Sequence, residues 1–129
     1  MDADPLDVEY AVHSMTRLLV VRGPSYDPGV KRRRRDPDDL LARIDDPGAL
    51  TELRACLVPA DEQDGASWTT TADPTLVLHA GDDIVGTVSV VTPAYVRGPW
   101  WDTDVILRHP DRFERWLDAH VPRWRASPW

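Results

Sequence analysis

The sharpest pattern in the chain lies between Thr75 and Val91. In Thr75-Leu76-Val77-Leu78-His79-Ala80, one face takes Leu76, Leu78 and Ala80 and the other takes Thr75, Val77 and His79. The run from Ile84 to Val91 places Ile84, Val88 and Val90 on one face and Thr87 and Ser89 on the other. Period-two alternation in β-branched residues predicts two half-buried strands. Gly81-Asp82-Asp83 between them is turn chemistry. Opposed residues of an antiparallel pair share a face. A three-residue loop meets this condition by opposing Ala80 to Ile84, Leu78 to Gly86 and Leu76 to Val88. A two-residue loop opposes Leu78 to Thr87 and mixes the faces. The expected pair is therefore Leu76 with Val88, and Gly86 leaves room above Leu78.

A helical period follows over residues 110–120. Pro110 suits the first helical position, and Asp111 and Glu114 favour the positive end of the helix dipole. Phe113, Trp116, Leu117 and Val121 form one apolar stripe, and Pro122 stops the helix. This stripe needs a cover, and the Leu76/Leu78/Val88/Val90 face is the nearest apolar surface.

Elsewhere the patterns are shorter. Val8, Val12, Met15 and Leu19 form a helical stripe with Ala11 and Leu18 beside it, so residues 5–21 read as helix. The same stretch also fits a strand through Val8, Tyr10 and Val12, and it ends in a continuous apolar run, Leu18 to Val21. It either joins the helical layer or forms an arm. Asp36-Pro37 and Asp46-Pro47 each place a capping Asp before a proline, predicting a short helix at 37–43 and a longer one at 47–57. In the longer helix Leu50, Leu53 and Leu57 share a stripe, with Cys56 at its edge. Strands are expected at 67–71 and 92–97, a buried connector at 105–107, a loop at 60–65 and a tail at 122–129. The fold class is α+β: an antiparallel sheet of three to four strands covered on one face by two or three helices, with its core over 46–121.

Composition narrows the setting. The chain has 129 residues, enough for one domain with its own core. Cys56 is the only cysteine, so no intrachain disulfide forms. No apolar run reaches the length of a membrane span, and the acidic start Met1-Asp2-Ala3-Asp4 lacks a signal-peptide pattern. The expected location is cytoplasmic, with no membrane partner. A net charge of −7 at pH 7 argues against general binding to phosphate backbones. Lys31 is the only lysine amid many arginines, a bias that suggests a GC-rich, actinobacterial type of source.

Candidate chemistry is sparse. The run Lys31, Arg32, Arg33, Arg34 and Arg35 sits in a loop over 24–36 and is a possible anion-contact segment; the simpler reading is a solvated loop, since no aromatics are interleaved. The pairs Asp82/Asp83 and Asp102/Asp104 match no calcium loop, and His79 and His109 have no ligand at zinc spacing. No phosphate-cradling glycine loop or nucleophile elbow is present. Cys56 reads as core, because a reactive thiolate needs an electropositive, accessible setting. No catalytic residue, metal ligand or cofactor is assigned. Six tryptophans stand in a chain with one Phe. Trp116 belongs to the helix stripe and Trp101 reads as a core cap. Trp124 and Trp129, with Arg123 and Arg125, read as anchors for a partner surface, joined by Trp100 and Trp101 in the preceding loop.

Three segments carry a resemblance. They are Asp46-Pro47-Gly48-Ala49-Leu50 with Leu53-Arg54 and Leu57; Asp73-Pro74-Thr75-Leu76; and Trp101-Asp102-Thr103-Asp104 leading to Leu107, Phe113 and Trp116-Leu117. From Leu50 to His120 the chain resembles a small uncharacterised domain common in actinobacterial proteins. That domain often carries Cys-x-Cys before the hairpin and His-His-Gly after it. Here those stretches read Trp68-Thr69-Thr70 and Val91-Thr92-Pro93, so a thiolate–imidazole site is not available. The resemblance implies a fold and brings no activity. The expected function is a non-catalytic protein-interaction or adaptor domain that binds another protein or a second copy of itself. The alternative is a small ligand-binding domain or enzyme with a pocket near Trp100/Trp101. Nucleic-acid contact through the basic run is the weakest of the three.

Overall fold

The computed structural model describes residues 5–22, 40–65, 73–92, 94–98, 101 and 103–125. Helix α1 (Pro5–Ser14) leads into strand β1 (Arg17–Val21), followed by β2 (Leu40–Ile44) and helix α2 (Pro47–Cys56). Strands β3 (Thr75–Ala80), β4 (Asp83–Thr92), β5 (Tyr95–Arg97) and β6 (Val105–Ile106) precede helix α3 (Pro110–His120). The six strands form one antiparallel sheet in the order β2-β1-β3-β4-β5-β6.

Six strands exceed the expected three or four, and the excess has local causes. The apolar run at the end of 5–21 is not helical. It becomes β1, lies between β2 and β3, and joins the main body rather than an arm. The short helix expected over 37–43 is absent from its described part, where Leu40–Ile44 is strand. A helix this short is marginal on its own, and pairing beside β1 satisfies the backbone better. The connector at 105–107 pairs with β5 through Val105 and Ile106. The strand expected at 67–71 lies outside the described residues.

The hairpin has the expected central register, Leu76 opposite Val88 and Leu78 opposite Gly86, but not the expected loop. Ala80 opposes Asp83 instead of Ile84, and His79 opposes Ile84. The turn is Gly81-Asp82, with Gly81 at φ 62°. A positive φ at the first loop position is what a tight primed turn needs and glycine supplies. A β-bulge at Val85 then restores the faces that a two-residue turn would otherwise mix.

Opposed residues sort the sheet into two faces. One face carries Ile44, Leu18 and Leu78 in one row and Ala42, Val20, Leu76 and Val88 in the next, with Val90, Val96 and Val105 beyond. Bulges add Leu41 and Val85 to this side, where Leu41 is buried and Val85 packs on the core. The same cluster takes Ala11, Val12 and Met15 from α1 and its following turn, Ala49, Leu50, Leu53 and Cys56 from α2, and Phe113, Trp116 and Leu117 from α3. The helices thus cover one face, as the apolar stripes require.

Polar groups lock this layer. Asp46 Oδ2 accepts from the Ala49 amide at 2.9 Å, the N-cap that the Asp-Pro pair predicts. Arg54 donates from Nε to the Val12 carbonyl at 2.9 Å and from Nη2 to the Met15 carbonyl at 2.6 Å, satisfying acceptors left over at the end of α1. Trp116 Nε1 donates to the Ala49 carbonyl at 2.9 Å and ties α3 to α2.

Candidate functional site

The second sheet face holds the buried polar side chains. Val21, Thr75, Ser89 and Arg97 form a cross-strand row over β1, β3, β4 and β5. Among the described residues the buried polar or charged ones are Thr75, Ser89 and Asp104, and this row gathers all three. The Thr75 and Ser89 hydroxyls are hydrogen-bonded at 2.8 Å. Arg97 grips Asp104 with Nε at 2.8 Å and Nη2 at 3.0 Å, a bidentate fork. The hydrogen bonds to Asp104 push the Arg97 pKa up, so the guanidinium is held charged. A hydroxyl pair is not a nucleophile with its base, and an arginine already forked to a carboxylate is not a general acid. The row's evident work is to fix register between β3, β4, β5 and the approach to β6.

A second row on this face joins Arg17, His79 and Ile84. Arg17 Nε and His79 Nε2 are buried without a hydrogen-bond partner. Burial lowers the His79 pKa, Arg17 lowers it further and Asp82 opposes both, so the imidazole is held neutral. Between the two rows lie Arg43, Leu19, Val77 and Thr87, each opposing the next. Leu19 and Val77 are half-buried and Ile84 is 56% exposed, while Leu40, 44% exposed, stands opposite Val21 at the β2 end of the first row. This half of the face mixes water-accessible apolar groups with cations.

A cleft of about 340 Å³ opens on the helical side, lined by Glu52, Cys56, Arg112, Arg115, Trp116 and Ala119. Cys56 is fully buried, and burial pushes its thiol pKa up, with Arg112 partly offsetting the rise. That setting suits an inert core thiol. Among the described residues no three His, Cys, Asp or Glu side chains group closely enough to hold a metal ion. Among them, too, no helix is long and apolar enough to cross a membrane.

The residues singled out in the sequence fall in different places. Trp124 is 8% exposed and belongs to the core cluster, which corrects the expectation that the tail lies outside the core. Its Nε1 donates to Asp118 at 2.8 Å, and the Arg125 guanidinium stacks 4.4 Å from its ring centroid. Arg125 is exposed and also pairs with Glu114 and Asp118. Arg123 is exposed, adopts φ 62°, and its carbonyl accepts from Arg22. Trp101 is half-buried against the core. Trp100, Trp129, Lys31, Arg32, Arg33, Arg34 and Arg35 lie outside the described residues. Of the expected anchors that are described, Trp124 is core, Arg125 stacks on it, Arg123 is exposed and Trp101 is half-buried. The pairing of Arg97 with Asp104 and the bonds of Arg22 are not legible in the sequence, because they depend on strand register and not on spacing. Comparison with protein-family models, curated proteins and solved structures gives no match to this chain.

Proposed function

We propose that this chain is a non-catalytic protein-interaction domain of the cytoplasm. The observation that carries this reading is the half of the second sheet face that the described residues leave open. There Ile84 is exposed beside half-buried Leu19 and Val77 and the cations Arg17 and Arg43, and exposed Leu40 adjoins it at the β2 end of the Val21 row. Apolar side chains with interleaved arginine are the usual make-up of a contact surface. Two buried polar nitrogens on this face, Arg17 Nε and His79 Nε2, have no hydrogen-bond partner among the described residues and fit the same reading, since unmet polar groups favour a partner that meets them.

The test is a double variant, Leu40→Asp with Ile84→Asp, compared with the native chain by sedimentation and by chemical cross-linking in its own cells. Both positions are exposed, so folding stability should change by less than about 1 kcal/mol. The expected result is a folded variant that has lost an association the native chain shows. A native chain that is monomeric and cross-links to nothing, or a variant that associates as before, rejects the reading.

A further inference from the structure

The two edges of the sheet are treated differently. At the β6 edge, Ile106 donates to Gln63 Oε1 at 2.7 Å, and its carbonyl accepts from Ala60 at 2.9 Å and from Gln63 Nε2 at 3.0 Å. Arg108 donates to the Val58 carbonyl at 2.8 Å, and Pro59 bridges to Leu107. This edge is covered by residues 58–63. At the other edge, β2 pairs with β1 on one side, and among the described residues nothing bonds its outer side. An uncovered edge offers a row of unpaired backbone donors and acceptors, a template for another strand.

Side chains on β2 narrow what that strand is. Arg43 points to the second face with Leu40, while Ala42 and Ile44 point to the core face. Arg43 is 58% exposed, and its one ion pair among the described residues, to Asp45 at 4.0 Å, is between two exposed groups and worth little. A second copy of β2 fits poorly. Opposed residues must share a face, and the register that pairs Ala42 with Ile44 of the other copy sets Arg43 directly against Arg43. Like charges directly opposed are destabilising. Shifting by one further pair brings Arg43 against Asp45 but runs Asp46 and Pro47, the start of α2, into the pairing. The arginine thus works against self-pairing and in favour of a carboxylate.

The geometry points to β2 as a strand-addition site for an extended segment of a partner protein, with carboxylates on the Arg43 side and apolar side chains on the Ile44 side. This rests on the protein-interaction reading above and specifies how the partner is held: backbone bonds to β2 give affinity, and Arg43 selects charge.

The probe is an acetylated octapeptide of alternating valine and glutamate with glycine at each end. Its control replaces glutamate by lysine. Amide exchange across 40–44 is followed by NMR. With about 1 mM glutamate peptide, a workable concentration for weak binding, exchange at alternate β2 amides should slow about tenfold. The lysine peptide should not protect them, and Arg43→Glu should reverse the preference. Absence of protection at β2 by the glutamate peptide overturns the proposal, and so does equal protection by the lysine peptide. A β2-mediated dimer in sedimentation also overturns it. Protection around Leu19, Val77 and Ile84 instead would reject the edge site and leave the interaction reading standing. Protection nowhere, together with a Leu40→Asp/Ile84→Asp variant that associates as before, would reject both.

Discussion

Arg22 donates from Nη2 to the Trp124 carbonyl at 2.7 Å across 102 residues of sequence. The same guanidinium donates from Nη1 to the Arg123 carbonyl at 2.9 Å and pairs through Nε with Asp73 at 3.1 Å. One side chain thereby joins the end of β1, the approach to β3 and the residues after α3. It also helps hold Arg123 in the left-handed conformation, which a non-glycine residue adopts only at some cost. The segment after Pro122 is built into the body at this point.

Trp124→Ala should therefore destabilise the fold by about 3–5 kcal/mol, the range for emptying a large aromatic site. Trp124→Phe retains most of the packing and loses the Nε1 bond to Asp118, so it should cost about 1 kcal/mol. Urea unfolding distinguishes the two. A Trp124→Ala protein of native stability would mean that the indole contributes through a partner and not through its own core.

The reach of the sequence can be judged from these same residues. Alternation in 75–91 was enough to give Leu76 opposite Val88, because a one-residue slip would have exposed the apolar set. It did not give the turn, because a bulge at Val85 lets a shorter loop produce the same pairing. The Asp-Pro device marks a helix start at Asp46, whereas the described part of the helix expected over 37–43 is strand. Capping chemistry marks where a helix can begin, and the longer apolar stripe of α2 decided between them. The polar row was half legible. Thr75 and Ser89 showed as the polar side of the hairpin, but Arg97 and Asp104 meet only once β5 and β6 are side by side. The burial of Trp124 is not legible in the sequence, because the Arg22 bonds that hold residues 123 and 124 come from far off in the chain.

Leu117 tests the packing of α3 on the sheet. It is fully buried and shares the core cluster with Leu76 and Val88. Leu117→Ala should cost about 2–5 kcal/mol. Leu117→Met, close to volume-conserving, should cost less than about 1.5 kcal/mol. Chemical unfolding at constant slope checks both values. Equal, small losses would show that the α3 stripe is loosely packed.

The Arg97–Asp104 pair should respond unequally to its two deletions. Asp104 is 4% exposed at the side chain and Arg97 is 36% exposed. Arg97→Ala leaves a buried carboxylate short of its fork and should cost about 2–3 kcal/mol, below the 3–5 of a fully buried pair because water reaches the arginine. Asp104→Ala leaves a cation that can turn to solvent, so its cost should be smaller by about 1 kcal/mol. A double-mutant cycle measures the coupling. Equal single losses and zero coupling would mean that the pair does not hold β5 to the approach of β6.

His79 sets the pH dependence of the second face. Burial is the main cause that lowers its pKa from 6.5; Arg17 adds to the fall and Asp82 opposes it. The folded imidazole therefore takes up its proton at lower pH than the unfolded one. Its contribution to stability is fully present above the unfolded value and is lost as pH falls through the window down to the folded value. An NMR titration of the His79 ring should show a midpoint below 6.5. Arg17→Met should raise that midpoint without restoring the ordinary value, because burial remains. Asp82→Asn should lower it further. In His79→Gln this part of the pH dependence should vanish, and thermal melts at several pH values read that directly. A midpoint at or above the ordinary value would mean that the ring is solvated or partnered in solution. The case for an unmet polar group on the open face would then fall.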